Sequence, residues 1–163
     1  MTQDNRIYGG LIDRSRPLAF RFNSQRLTGF AGDTLASALV ANSQRVVARS
    51  FKYHRPRGIF SAGSEEPNAL VQLRNGAHQE PNTRATVVEL FDGLEATSQN
   101  HRGPLAFDLM AINDVISPFL TAGFYYKTFM WPKAFWEKVY EPIIRASAGL
   151  GRLSGDEDPD CYD

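Results

Sequence analysis

The sequence predicts an α+β fold in which a small mixed sheet wraps one helix. Two alternating strands separated by a turn dipeptide open the chain, and a short apolar stripe at helical spacing follows them. Further strand-like runs then end in Asn-Gly or Asp-Gly turns.

Taken in order, residues 1–17 read as an N-terminal arm. Leu18, Phe20 and Phe22 alternate with Ala19 and Arg21, as the two faces of a half-buried strand should. Asn23-Ser24 tolerates the positive φ of a tight hairpin, and Arg26–Phe30 returns. Asp33 is placed to cap a helix whose stripe is Leu35, Ala38 and Leu39, and Asn42 is placed to stop it. Arg45–Arg49, Ala69–Leu73 and Thr86–Phe91 are the later strand candidates. The wrapped domain is expected over residues 18–100.

From about Pro104 the alternation disappears and aromatic residues crowd in, which marks an aromatic-rich extension over residues 101–150. Phe107, Phe119, Phe124, Tyr125, Tyr126, Phe129, Trp131, Phe135, Trp136 and Tyr140 are read as a docking surface rather than a private core. Pro132 suits the first turn of a helix, and Pro142 is expected to kink or stop it. Residues 151–163 are expected to form an acidic linker.

Eighteen Lys and Arg balance eighteen Asp and Glu, so bulk charge gives no signal for nucleic acid or an anionic membrane. The single cysteine, Cys161, precludes an internal disulfide or a cysteine metal site. With no signal-like N-terminus and no membrane-length apolar run, the expectation is a soluble, cytoplasmic protein. Catalytic constellations are missing as well. His54, His78 and His101 have no metal-ligand spacing, and the glycines from Gly149 to Gly155 lack both the spacing and the preceding strand of a dinucleotide site.

The most distinctive stretch runs from Ser50 to Val71. Lys52, His54, Arg55 and Arg57, followed by Gly58, could close around a phosphate or carboxylate, because guanidinium forks pair with oxyanions and glycine admits a close backbone. Beyond them the chain reads as an iron–sulfur loop without its ligands. On the plant-type C-x4-C-x2-C spacing, Ser61, Glu66 and Ala69 stand where thiolates would fall, with Thr86 as the fourth position.

The segments Gly10–Phe22, Gly29–Leu39 and above all Arg49–Val71 resemble the start of the alpha subunit of heterotetrameric sarcosine oxidases. The resemblance extends over essentially the whole chain, though over only the amino-terminal part of such a subunit. It implies a ferredoxin-like β-grasp domain inside a complex that oxidises sarcosine to glycine, formaldehyde and hydrogen peroxide, or passes the one-carbon unit to tetrahydrofolate. FAD and FMN would lie chiefly with the beta subunit, and NAD with a later part of the alpha subunit. Related dehydrogenase subunits keep cysteines in this domain. The departures at Ser61, Glu66, Ala69 and Thr86 point to the branch without a cluster.

The expectation is therefore a non-catalytic assembly domain that itself binds no cofactor or metal. Its partners would be the beta subunit and the rest of the alpha subunit. Lys52, Tyr53, His54, Arg55 and Arg57 are the expected contacts to a flavin edge or other anion. The alternative is a free-standing β-grasp interaction module whose basic loop grips an acidic peptide.

Overall fold

The computed structural model of the chain describes residues 5–7, 9–75, 78–119, 132–148, 153 and 155. Strand β1 (Asp13–Phe22) turns at Asn23-Ser24, both at positive φ, into β2 (Gln25–Ala31). Helix α1 (Leu35–Ala41) follows. After the short strands β3 (Ala48–Arg49) and β4 (Pro56–Arg57) come β5 (Leu70–Asn75), β6 (His78–Arg84) and β7 (Glu95–Ser98). The main sheet has the order β2-β1-β7-β5-β6, in which β1 and β7 are parallel and the other neighbours antiparallel.

The core lies between α1 and the sheet. Phe20 and Phe22 of β1, Leu27 of β2, Val71 of β5 and Ala96 of β7 meet Leu35, Ala38 and Leu39 of the helix, all of them buried. Burial of each large apolar side chain stabilises by about 1.5–3 kcal/mol, which is why the alternation in β1 sets its facing.

Several elements differ from the sequence expectation. β1 starts at Asp13, so residues 13–17 of the expected arm belong to the sheet, and Arg6 pairs with the buried Asp33 at 2.6 and 2.7 Å. Asp33 is not the helix cap. Thr34 is, in a reciprocal box with Ser37, while Asp33 accepts from the Phe30 amide and the Ser37 hydroxyl.

Thr86–Phe91 is not a ladder strand but runs past the start of α1. There the carbonyls of Ala85 and Val88 accept from the Ala36 and Leu35 amides, which no helical partner satisfies. The strands that the pattern did not announce are the two-residue β4, β6 and β7. β6 is a polar edge strand holding Pro81, and edges tolerate both features.

In the C-terminal part, Pro142, expected to kink or stop the helix, does not stop it. Lys133–Phe135 form a 3-10 turn, Trp136–Tyr140 a π-helical turn, and α3 (Glu141–Ala148; α2 is Ile112–Val115) continues through the proline. Proline has no N–H for the carbonyl four residues earlier, and the wider turn before it absorbs that loss. Phe107 and Phe135 are exposed. Phe124, Tyr125, Tyr126, Phe129 and Trp131 of the expected docking surface lie outside the described residues, as does nearly all of the expected acidic linker.

Candidate functional site

The basic loop joins β3 to β4, closed by the Ser50 amide donating to the Arg55 carbonyl at 3.0 Å and the His54 amide donating to the Ser50 carbonyl at 2.9 Å. His54 adopts a left-handed φ of 55°, and its ring turns inward until it is fully buried. There His54 Nδ1 lies 2.5 Å from Asp108 Oδ2. Asp108 also accepts from the Arg102 and Met110 amides at 2.9 and 3.0 Å. Burial alone would raise its carboxyl, but these amides and His54 outweigh that and hold it below the ordinary range. His54 Nε2 is buried with no hydrogen-bond partner among the described residues.

Next to this pair, buried Arg49 donates to the carbonyls of Leu105 at 3.0 and 2.7 Å, Ala106 at 3.0 Å and His54 at 2.8 Å. Asn113 donates to the Lys52 carbonyl, and Arg55 pairs with Asp114 at 2.5 Å. The loop therefore clasps residues 102–114 of its own chain.

Of the five expected anion contacts, the structure groups Lys52, Tyr53 and Arg55, with both cations over the Tyr53 ring at 4.8 and 4.9 Å. Arg57 is exposed on β4, and His54 is separated from all of these by its burial. Gly58 faces the chain rather than a ligand, since a Cβ there would stand 2.6 Å from the Arg45 carbonyl oxygen. Arg49 and Asp108 were missed because nothing in their local pattern marks them as buried. Each is set by a partner more than fifty residues away.

The second constellation is the turn after β4. Glu66 is fully buried. Its Oε2 accepts from the Phe60 and Ser61 amides at 2.7 and 2.5 Å, and its Oε1 from those of Asn68 and Ala69 at 2.7 and 3.1 Å. Pro67, which has no N–H, sits between the two pairs. Thr86 Oγ1 donates to the Gly63 carbonyl at 2.6 Å, and Arg84 Nε to the Glu66 carbonyl at 3.1 Å. Ser61, Glu66, Ala69 and Thr86, read together from spacing alone, thus surround one turn. Ser61 and Thr86 also border a groove of about 530 Å³, with Arg6, Ile12 and Val40 among its other walls.

A ferredoxin-like mixed sheet carrying a loop of this kind defines a protein class, and the chain belongs to the 2Fe-2S iron–sulfur cluster binding domain family, whose model matches residues 15–101. It is similar to the sarcosine oxidase subunit alpha of Rhizobium meliloti (strain 1021), at 61% identity over 94% of this chain and 16% of that subunit. It is also similar to the subunit alpha of Corynebacterium sp. (strain U-96), at 45% identity over 60% of this chain and 10% of that subunit. The chain thus spans about a sixth or less of the curated relatives it matches. Among solved structures, L-proline dehydrogenase from P. horikoshii overlaps 53% of this chain and 16% of its own, at 23% identity and a TM-score of 0.42.

The residues present do not fit the cluster that the family description implies. Iron–sulfur clusters are held by thiolates. Ser61 and Thr86 offer hydroxyls, Ala69 a methyl group, and Glu66 a carboxylate already taken by four amides. Cys161 lies outside the described residues.

Proposed function

We propose that this chain is the amino-terminal domain of a sarcosine oxidase alpha subunit, acting in assembly of the complex rather than in electron transfer. The whole enzyme would be a cytoplasmic flavoprotein oxidoreductase, a heterotetramer that oxidises sarcosine. FAD, FMN, NAD and tetrahydrofolate would bind elsewhere in it, and this domain would hold neither a cofactor nor a catalytic group. The observation that carries the reading is Glu66, which fills the cluster loop with a protein carboxylate on four amides. The 61% identity to one such subunit supports the choice of complex.

In this reading the basic loop serves assembly from both sides. Its inner side, His54 with Arg49, fixes residues 102–114 against the domain. Its outer side, Lys52, Tyr53, Arg55 and Arg57, is the proposed contact for an anionic group of a partner subunit or flavin edge. The domain would be followed by the extension and linker at the boundaries set out above, adjusted so that the arm ends before Asp13.

The test is reconstitution of the purified chain with iron and sulfide, together with co-expression of a full alpha subunit lacking residues 15–101 with its beta subunit. The reading expects no visible cluster absorption, sub-stoichiometric iron, and failed or weakened assembly of the deletion. A stoichiometric cluster, or a deletion complex that assembles with normal flavin content, would overturn it.

A further inference from the structure

The cluster loop has a property that absence of a cluster does not require. A loop shaped around a ligand it no longer binds should leave inward-facing amides without acceptors, and such groups are costly when buried. Here the amides of Phe60, Ser61, Asn68 and Ala69 converge on one point, and that point is occupied by the two oxygens of Glu66.

We propose that the Glu66 carboxylate is a built-in anion that replaces an iron–sulfur cluster as the charge around which residues 60–69 fold. A thiolate-bound cluster presents sulfurs that accept hydrogen bonds. Glu66 supplies the same service from within the chain. The charge sits where solvent cannot reach it, and its partners are backbone amides with the Ser61 hydroxyl 3.4 Å away. Burial alone would raise the Glu66 carboxyl, yet the Ser61, Asn68, Phe60 and Ala69 amides hold it below its ordinary range, as expected for an anion in a designed cradle. Pro67 contributes by being unable to donate, so the chain passes from Glu66 to Asn68 without an unused N–H. Ala69 and Thr86 then close the turn against β5 and β6, since the Ala85 amide donates to the Ala69 carbonyl at 2.9 Å. Folding of the loop is thereby independent of iron supply. The inference rests on the loop frame used in the proposed function, but it makes a separate claim about anions.

If the claim holds, Glu66→Ala creates a small anion site lined by four amides. In the full chain this variant should lose on the order of 10 °C in Tm, as a buried network broken at its centre does. Sodium formate, titrated at constant ionic strength, should restore part of that loss. It should not restore stability to Val71→Ala, which is destabilised in the core by cavity formation instead. A Glu66→Ala protein as stable as wild type, or a formate response equal in the two variants, would overturn the proposal. Should Glu66→Ala fail to fold, Glu66→Gln keeps the volume and decides the matter by hydrogen exchange. Faster exchange at Phe60, Ser61, Asn68 and Ala69 than in wild type upholds the anion role, and unchanged exchange there refutes it. Iron uptake by the wild-type chain would count against the cluster-free reading alone, whereas the formate result addresses only Glu66.

Discussion

His54 and Asp108 stand 54 residues apart in the chain, yet their side chains meet at 2.5 Å with neither exposed to solvent. The contact ties the loop between β3 and β4 to the segment after the sheet. It also turns what reads as a cationic surface loop into an internal clasp, with Arg49 gripping the neighbouring carbonyls of Leu105 and Ala106.

Removing Asp108 should therefore release that segment. Asp108→Ala takes away the acceptor of the Arg102 and Met110 amides and of His54 together, and a broken buried pair costs about 3 kcal/mol. Chemical denaturation should show a loss of that order. Hydrogen exchange at residues 102–110 should accelerate more than exchange in β1.

The two cations flanking this site should contribute unequally. Arg55 and Asp114 are about half exposed, so Arg55→Ala should cost less than about 1 kcal/mol. Arg49 is buried and donates to three carbonyls, so Arg49→Ala should cost about 3 kcal/mol. Equal losses in the two variants would mean that the clasp does not depend on Arg49. Under the proposed function, Arg55→Ala with Arg57→Ala in the full complex should lower FMN content or alpha–beta affinity while leaving the domain folded.

Acid should destabilise the chain through Glu66 and Asp108. Burial pushes both carboxyls up, but their amide donors, with His54 in the case of Asp108, prevail and both are lowered. Folded values below the unfolded ones give stability that is fully present above the ordinary carboxyl value of about 4 and is lost as pH falls through the depressed values. Urea midpoints measured downward from about pH 6 should fall in that window. The drop should be shallower in Glu66→Gln.

Gly29 should accept a side chain only at a cost. A Cβ there would lie 2.3 Å from Leu90 Cδ2 and 3.1 Å from the Ala38 Cβ of α1, so alanine requires the buried Leu90 side chain to repack. Gly29→Ala should destabilise by about 1–3 kcal/mol through overpacking, measured as a lower Tm with an unchanged fold by circular dichroism.

The hairpin, the helix and the α+β class were determined by the sequence itself, because each rests on local chemistry. Leu18, Phe20 and Phe22 fall on one face of any extended chain, Asn23-Ser24 accepts positive φ, and Leu35, Ala38 and Leu39 form a stripe at any helical pitch. The spacing of Ser61, Glu66, Ala69 and Thr86 was legible for the same reason, as was the lack of thiolates among them. Tertiary structure decided what no local pattern encodes. Whether Thr86–Phe91 joined the ladder or served the helix start depended on which amides lacked partners, and those amides belong to α1. The polar strand β6 exists because it lies at an edge, where one side of the backbone remains in water. His54 and Arg49 became internal because Asp108 and the carbonyls of Leu105 and Ala106 arrive from the far end of the domain to meet them. A charge reads as a surface feature in sequence, and only a distant partner that compensates its desolvation can place it inside.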